Sequence, residues 1–257
     1  MIMYGVIGSI AAGLATTLGC IPLLFFDKIS KKIYDATVGF ASGVMLVASF
    51  FSLIKPGLNE GLGIFDSKPM SFFVVICGLI SSCFVIKYLS EYLERKNLHN
   101  YTNLANDSKL DSQKLILLII AICIHNFPEG LAVGVGFAAE DMNNALSLAI
   151  GIGLQNIPEG TTIAMSCLAL GMDKKKSCFI AFLSGCIEPV ASILGLLLVN
   201  TSKYILPFGL GFAAGAMLYV ICHEMLPEFG KSEDRDWTTK WLFLGLIIMI
   251  GLDFLIA

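Results

Sequence analysis

Two hexapeptides carry most of the chemistry in this chain: His125-Asn126-Phe127-Pro128-Glu129-Gly130 and Gln155-Asn156-Ile157-Pro158-Glu159-Gly160. Each lies inside a long apolar segment and brings an amide, a carboxylate and a proline. On a helix, His125 and Glu129 share one face, and so do Gln155 and Glu159. The donors are imidazole nitrogen, carboxylate oxygen and amide oxygen, with no thiolate in either copy. That set suits Zn2+, Fe2+, Mn2+, Co2+ or Cd2+ better than Cu+. Mg2+ prefers hydrated, all-oxygen shells, and imidazole argues against it. A third acid, Glu188, also precedes a proline. Glu129, Glu159 and Glu188 offset a divalent charge; without a cation they would repel, and at least one would take up a proton. Metal binding would then release protons.

The elements that hold these residues are membrane helices. Charged residues make up 14% of the 257, hydrophobic residues 56%, and the mean hydropathy is +0.80. Soluble domains carry roughly a quarter charged residues. The composition predicts one all-α membrane domain over residues 1–257. Apolar stretches long enough to span fall at 3–26, 34–55, 70–92, 114–139, 144–171, 177–199, 203–226 and 241–257. The apolar N-terminal run lacks a basic leader and is too long for a signal-peptide core, so it reads as a retained helix. Fourteen of the 17 Lys and Arg residues cluster at the first, third, fifth and seventh connections. Positive charge stays cytoplasmic, which predicts both termini outside. The long polar connection at 93–113 reads as a cytoplasmic loop, and its His99 as a solvated residue.

In this frame His125, Glu129, Gln155 and Glu159 fall near mid-depth on two helices of opposite direction. Pro128 removes a backbone N–H and crowds the carbonyl of Ile124; Pro158 acts in the same way in the next span. In lipid a freed carbonyl must be covered by protein, water or an ion. Two antiparallel copies can face each other about an in-plane pseudo-two-fold axis, a recurrent transporter design. Outside the two hexapeptides, internal similarity is weak by inspection. One Pro-Glu-Gly alone would read as a kink with a neutral, hydrogen-bonded acid; two copies with Glu188 argue for a shared site. His223 and Glu224 lie near the inner end of the seventh span, where loop anchoring is the plainer reading. Asp253 lies toward the outer end of the eighth. Met45 and the Gly39-x-x-x-Gly43 and Gly211-x-x-x-Gly215 faces read as packing. The eight cysteines are scattered, with no Cys-x-x-Cys pair, and read as small buried apolar residues. Nothing resembles a basic face for nucleic acid.

The paired motifs resemble those of the ZIP (Zrt-, Irt-like) divalent metal transporters, and the chain is most similar to the GufA-type branch. The resemblance extends over eight spans, outside termini and the long loop after span three. It implies a 3+2+3 inverted-repeat bundle, uptake toward the cytosol, and homodimers in some members. It implies a metal site at His125, Glu129, Gln155 and Glu159. It implies a second beside it at Asn126, Glu129, Asn156, Glu159 and Glu188, with glutamates bridging. Met45 matches a residue near the first site, His223 and Glu224 a pair on the way out, and Asp253 an acid on the way in. Position 156 is Asn where this branch often has Asp, which removes one negative charge from the second site. The histidine-rich loop of many eukaryotic relatives is missing.

The expected function is therefore uptake of Zn2+, with Cd2+, Fe2+, Mn2+ and Co2+ as related cargo, in a bacterial cell membrane and without a catalytic cofactor. No Walker motif supplies ATP chemistry. A selective divalent cation channel would need the same polar midplane. An intramembrane zinc enzyme would need His-Glu-x-x-His, which is absent.

Overall fold

The computed structural model describes residues 2–25, 30–101, 126–139 and 141–256, and every regular element among them is helical. We number these helices α1 (Ile2–Phe25), α2 (Lys31–Phe65), α3 (Lys68–Tyr101), α4 (126–138), α5 (Met142–Ala169), α6 (Lys174–Thr201), α7 (Ile205–Gly230) and α8 (Arg235–Ile256). Six of them, α1, α2, α3, α6, α7 and α8, are long and apolar enough to cross a membrane. They match six of the expected stretches. α5 has 28 residues, but its apolar density is diluted by its own Gln155, Asn156 and Glu159. His125, Ile124 and most of the stretch before α4 lie outside the described residues, as does most of the expected 93–113 loop.

The helix ends follow local chemistry. Asp141 caps α5 by accepting from the Asn144 N–H at 3.1 Å, and Asp173 caps α6 by accepting from the Lys176 N–H at 3.0 Å. Asp66 ends α2 in a left-handed conformation, φ 48°, its N–H donating to the Leu62 carbonyl. α2 and α8 overrun the apolar stretches that predicted them, reaching Phe65 and starting at Arg235. A helix satisfies its own backbone, so it continues past the point where hydrocarbon ends.

Proline acts at two places the sequence reading did not stress. α2 widens into a π-helical turn over Ala48–Ile54, and α7 does so over Ile221–Met225. Each turn is followed directly by a residue and then a proline, Lys55-Pro56 and Leu226-Pro227. The N–H groups of Lys55 and Leu226 reach back five residues, to Phe50 and Ile221. A proline cannot donate to the ladder, and its ring crowds the turn before it, so the ladder slips by one residue. α5, by contrast, stays helical across Pro158.

Packing relies on small residues. A Cβ at Gly39 or Gly43 of α2 would collide with the carbonyls of Thr238 and Leu242 on α8. A Cβ at Gly211 or Gly215 of α7 would strike those of Val75 and Leu79 on α3. Between α1 and α5 the same role falls to Gly160 against Thr16, and between α4 and α6 to Gly130 against Glu188. Lipid offers no hydrophobic drive for helices to pair, so van der Waals contact at close backbone approach supplies the attraction. Large apolar side chains face outward, among them Phe72, Phe73 and Phe84 on α3 and Phe243, Ile247 and Phe254 on α8. A surface this apolar belongs in a bilayer, and the chain is an integral, multi-pass membrane protein.

Candidate metal centre

The described polar residues of both hexapeptides turn inward. Asn126, Glu129 and Asn156 are fully buried, Gln155 is 1% exposed, and Glu188 on α6 is fully buried as well. Glu159 is half-buried. Gly130 and Gly160 explain the depth: each lets its helix rest on another backbone, directly beside the acid that precedes it.

Amides link the acids to one another. Gln155 Nε2 donates to Glu129 Oε1. Asn156 Nδ2 donates to Glu188 Oε1 at 2.7 Å and to the Ala12 carbonyl of α1 at 2.9 Å. A peptide carbonyl only accepts, so the bond to Ala12 sets which way the Asn156 amide points. α1, α5 and α6 thus meet at one side chain. Glu129 is within electrostatic range of both Glu159 and Glu188. Among the described residues, no three His, Cys, Asp or Glu side chains gather as a ready metal cage. The amides stand between the carboxylates instead.

This arrangement leaves donors over. Asn126 Oδ1, Gln155 Oε1, Asn156 Oδ1 and Glu188 Oε2 are buried with no hydrogen-bond partner. Buried polar atoms are nearly always paired. No lysine or arginine is buried among the described residues. Buried oxygen donors in excess beside several carboxylates suit a bound cation or protons.

The family model described as ZIP Zinc transporter matches residues 112–255. The zinc transporter GufA of Myxococcus xanthus is 36% identical over 97% of each chain. The zinc transporter ZIPB of Bordetella bronchiseptica is 34% identical over 97% of this chain and 80% of that protein. The zinc transporter ZupT of Clostridium perfringens is 30% identical over 94% of this chain and 92% of that protein. The chain belongs to the ZIP family. These relatives are transporters, not enzymes, and they place this ZIP protein beside the GufA-type members.

The other candidate residues of this ZIP chain differ in burial. Met45 is fully buried in the main apolar core. His223 and Glu224 sit in the π-helical turn of α7. His223 is exposed and stacks on Tyr219, with centroids 5.1 Å apart, while Glu224 is half-buried. Asp253 is half-buried and accepts from Ser52 Oγ at 3.4 Å. It lines a cavity of about 320 Å³ between the ends of α2, α4, α5 and α8, together with Lys55, Asn59, Glu60, Asp141 and Asn144.

Sequence reasoning missed several of these. The cavity's other polar residues carried no motif. The contribution of Ala12 is a backbone carbonyl, for which no side-chain signal exists. A second repeat lies outside the two hexapeptides: Gly39-Phe40-Ala41-Ser42-Gly43-Val44-Met45-Leu46 and Gly211-Phe212-Ala213-Ala214-Gly215-Ala216-Met217-Leu218 agree at six of eight positions. Each octapeptide leads into one of the two π-helical turns.

Proposed function

We propose that this ZIP protein takes divalent transition-metal cations, Zn2+ first among them, into the cytosol through a site formed by α4 and α5 with Glu188 of α6. The observation that carries this reading is the set of buried, unpartnered oxygens of Asn126, Gln155, Asn156 and Glu188, with no buried lysine or arginine among the described residues. The relatives' names supply the cargo: GufA, ZIPB and ZupT are each called zinc transporters. His125, Asn126, Glu129, Gln155, Asn156 and Glu159 are the candidate ligands, and Glu188 completes the set. A cation entering would replace its hydration shell with these oxygens and the imidazole, and would displace protons as it does so. Uptake should therefore weaken as pH falls.

The finer architecture belongs to the same proposal. Eight spans in one domain, with both termini outside, follow the charge distribution. An inverted repeat is supported by three matched features. Gly130 rests on α6 as Gly160 rests on α1; α2 meets α8 as α7 meets α3; and the two octapeptides each precede a π-helical turn. Capture would begin in the cavity at Asp253, and release would pass His223 and Glu224. Residence in a bacterial inner membrane agrees with the sources of the relatives named above, and assembly as a homodimer follows the family resemblance.

Purified protein in liposomes tests the reading. Zn2+ uptake should saturate with concentration and fall to background in Glu129→Ala and Glu159→Ala. Undiminished uptake in both variants would end the assignment. Flux that never saturates would favour a channel over a carrier. Peptide cleavage by the purified protein, with metal flux absent, would revive the enzyme.

A further inference from the structure

Three of the cysteines leave the role of scattered apolar filler. Cys20 of α1 and Cys167 of α5 are 2% and 0% exposed in a small apolar cluster of their own, with Cys178 of α6 partly buried against it. Within that cluster Cys20 and Cys178 form a reciprocal pair. Cys178 Sγ donates to the Cys20 carbonyl at 3.5 Å, and Cys20 Sγ lies 3.9 Å from the Cys178 carbonyl. Each thiol thus lies against the other residue's backbone.

The seam that brings them together is tight. Gly13 of α1 and Gly185 of α6 rest on each other's backbone, so that a Cβ on either would strike the other's carbonyl. About two helical turns further along α1 is Cys20, and the same distance back along α6 is Cys178. The helices are therefore antiparallel here and in register over that distance. A disulfide needs Cα atoms within roughly 4.4–6.8 Å, a separation that helices in backbone contact provide.

We propose that Cys20 and Cys178 are a dithiol modification site that closes reversibly to a disulfide between α1 and α6. Cys178 is the half-buried member and attacks the oxidant first; Cys20, buried behind it, resolves the mixed disulfide. With a small disulfide as oxidant, Cys178 displaces one of its thiols and forms a mixed disulfide. Cys20 then displaces the second. Two protein thiols become one S–S bond, and the oxidant leaves as two thiols carrying the two protons and two electrons. The link would tie together the helices that supply the Ala12 carbonyl and Glu188, the two partners of Asn156. The site is separate from the oxygen cluster and does not depend on the transport assignment.

The test uses the full-length protein in liposomes. Diamide, an azo oxidant that removes two electrons and two protons from a thiol pair, is added. Free thiols are then alkylated and the peptides mapped by mass spectrometry. Cys20 and Cys178 should leave the alkylated pool together, a linked Cys20–Cys178 peptide should appear, and dithiothreitol should reverse both. Cys178 should stay alkylatable in Cys20→Ser. Linkage of Cys20 to Cys167, or full alkylation of Cys20 and Cys178 after oxidation, would overturn the proposal. The wild-type peptide map decides the matter even where a variant folds poorly.

Discussion

The cluster around Glu129 and the cavity at Asp253 hold the same residue types, and burial separates them. In the cluster, Glu129 and Glu188 are fully buried, amides bridge the acids, and no lysine is buried among the described residues. In the cavity, Asp253 is half-buried beside a serine hydroxyl, and Lys55 shares the lining with its ammonium 6.0 Å from the Phe51 ring. Charge interactions are many times stronger in a dry interior than near water, and salt screens only the latter. Under the proposed function the first region would strip and hold a cation, and the second would attract a hydrated one. Ionic strength should tell them apart.

The largest effect is expected at the cluster. Glu129→Ala should abolish Zn2+ uptake at low and high salt alike; recovery at high salt would place Glu129 in the same class as Asp253. Next comes Asn156→Leu, which strands Glu188 Oε1 and removes the tie to the Ala12 carbonyl. Leaving a buried acceptor unpaired costs about 1–3 kcal/mol, so the melting temperature in detergent should drop by several degrees. An unchanged melting curve would mean that Asn156 does not join the three helices. A smaller effect is expected at the cavity. Asp253→Asn should raise the KM for Zn2+ by about two- to five-fold at low salt, the range for a single exposed charge, and by less as salt is added. The smallest change has the opposite sign. Lys55→Met should lower the KM by about two-fold at low salt; a higher KM would make the lysine an organiser of the cavity rather than a competitor for its acids.

The legible part of the site is the part written contiguously. The hexapeptides announce their donors because helix geometry puts residues four apart on one face, whatever the rest of the chain does. All-helical character and most span positions were equally plain, since an apolar run of about 20 residues has few other fates. Less was visible where partners come from afar. Gln155 was expected in one site with Glu129 and Glu159, but that its amide donates to Glu129 on the neighbouring helix could not be read from either motif. Asn156 was read through a missing charge, while its role in the fold is that of a donor to α1 and α6. Cys20 and Cys178 looked unrelated because their pairing depends on a glycine seam between distant helices. The prolines were a partial signal: attention went to Pro128 and Pro158, but the widened turns precede Pro56 and Pro227.

Two levels of determination emerge. Composition and periodicity decide that this chain forms long apolar helices and which donor atoms sit at their middles, because backbone hydrogen bonding in lipid must be met within each segment. Tertiary packing decides which amide meets which acid, which oxygens are left over and which cysteines meet. Those outcomes depend on how closely glycine-lined helices approach, and an approach between two helices is a property of the pair, absent from either sequence alone.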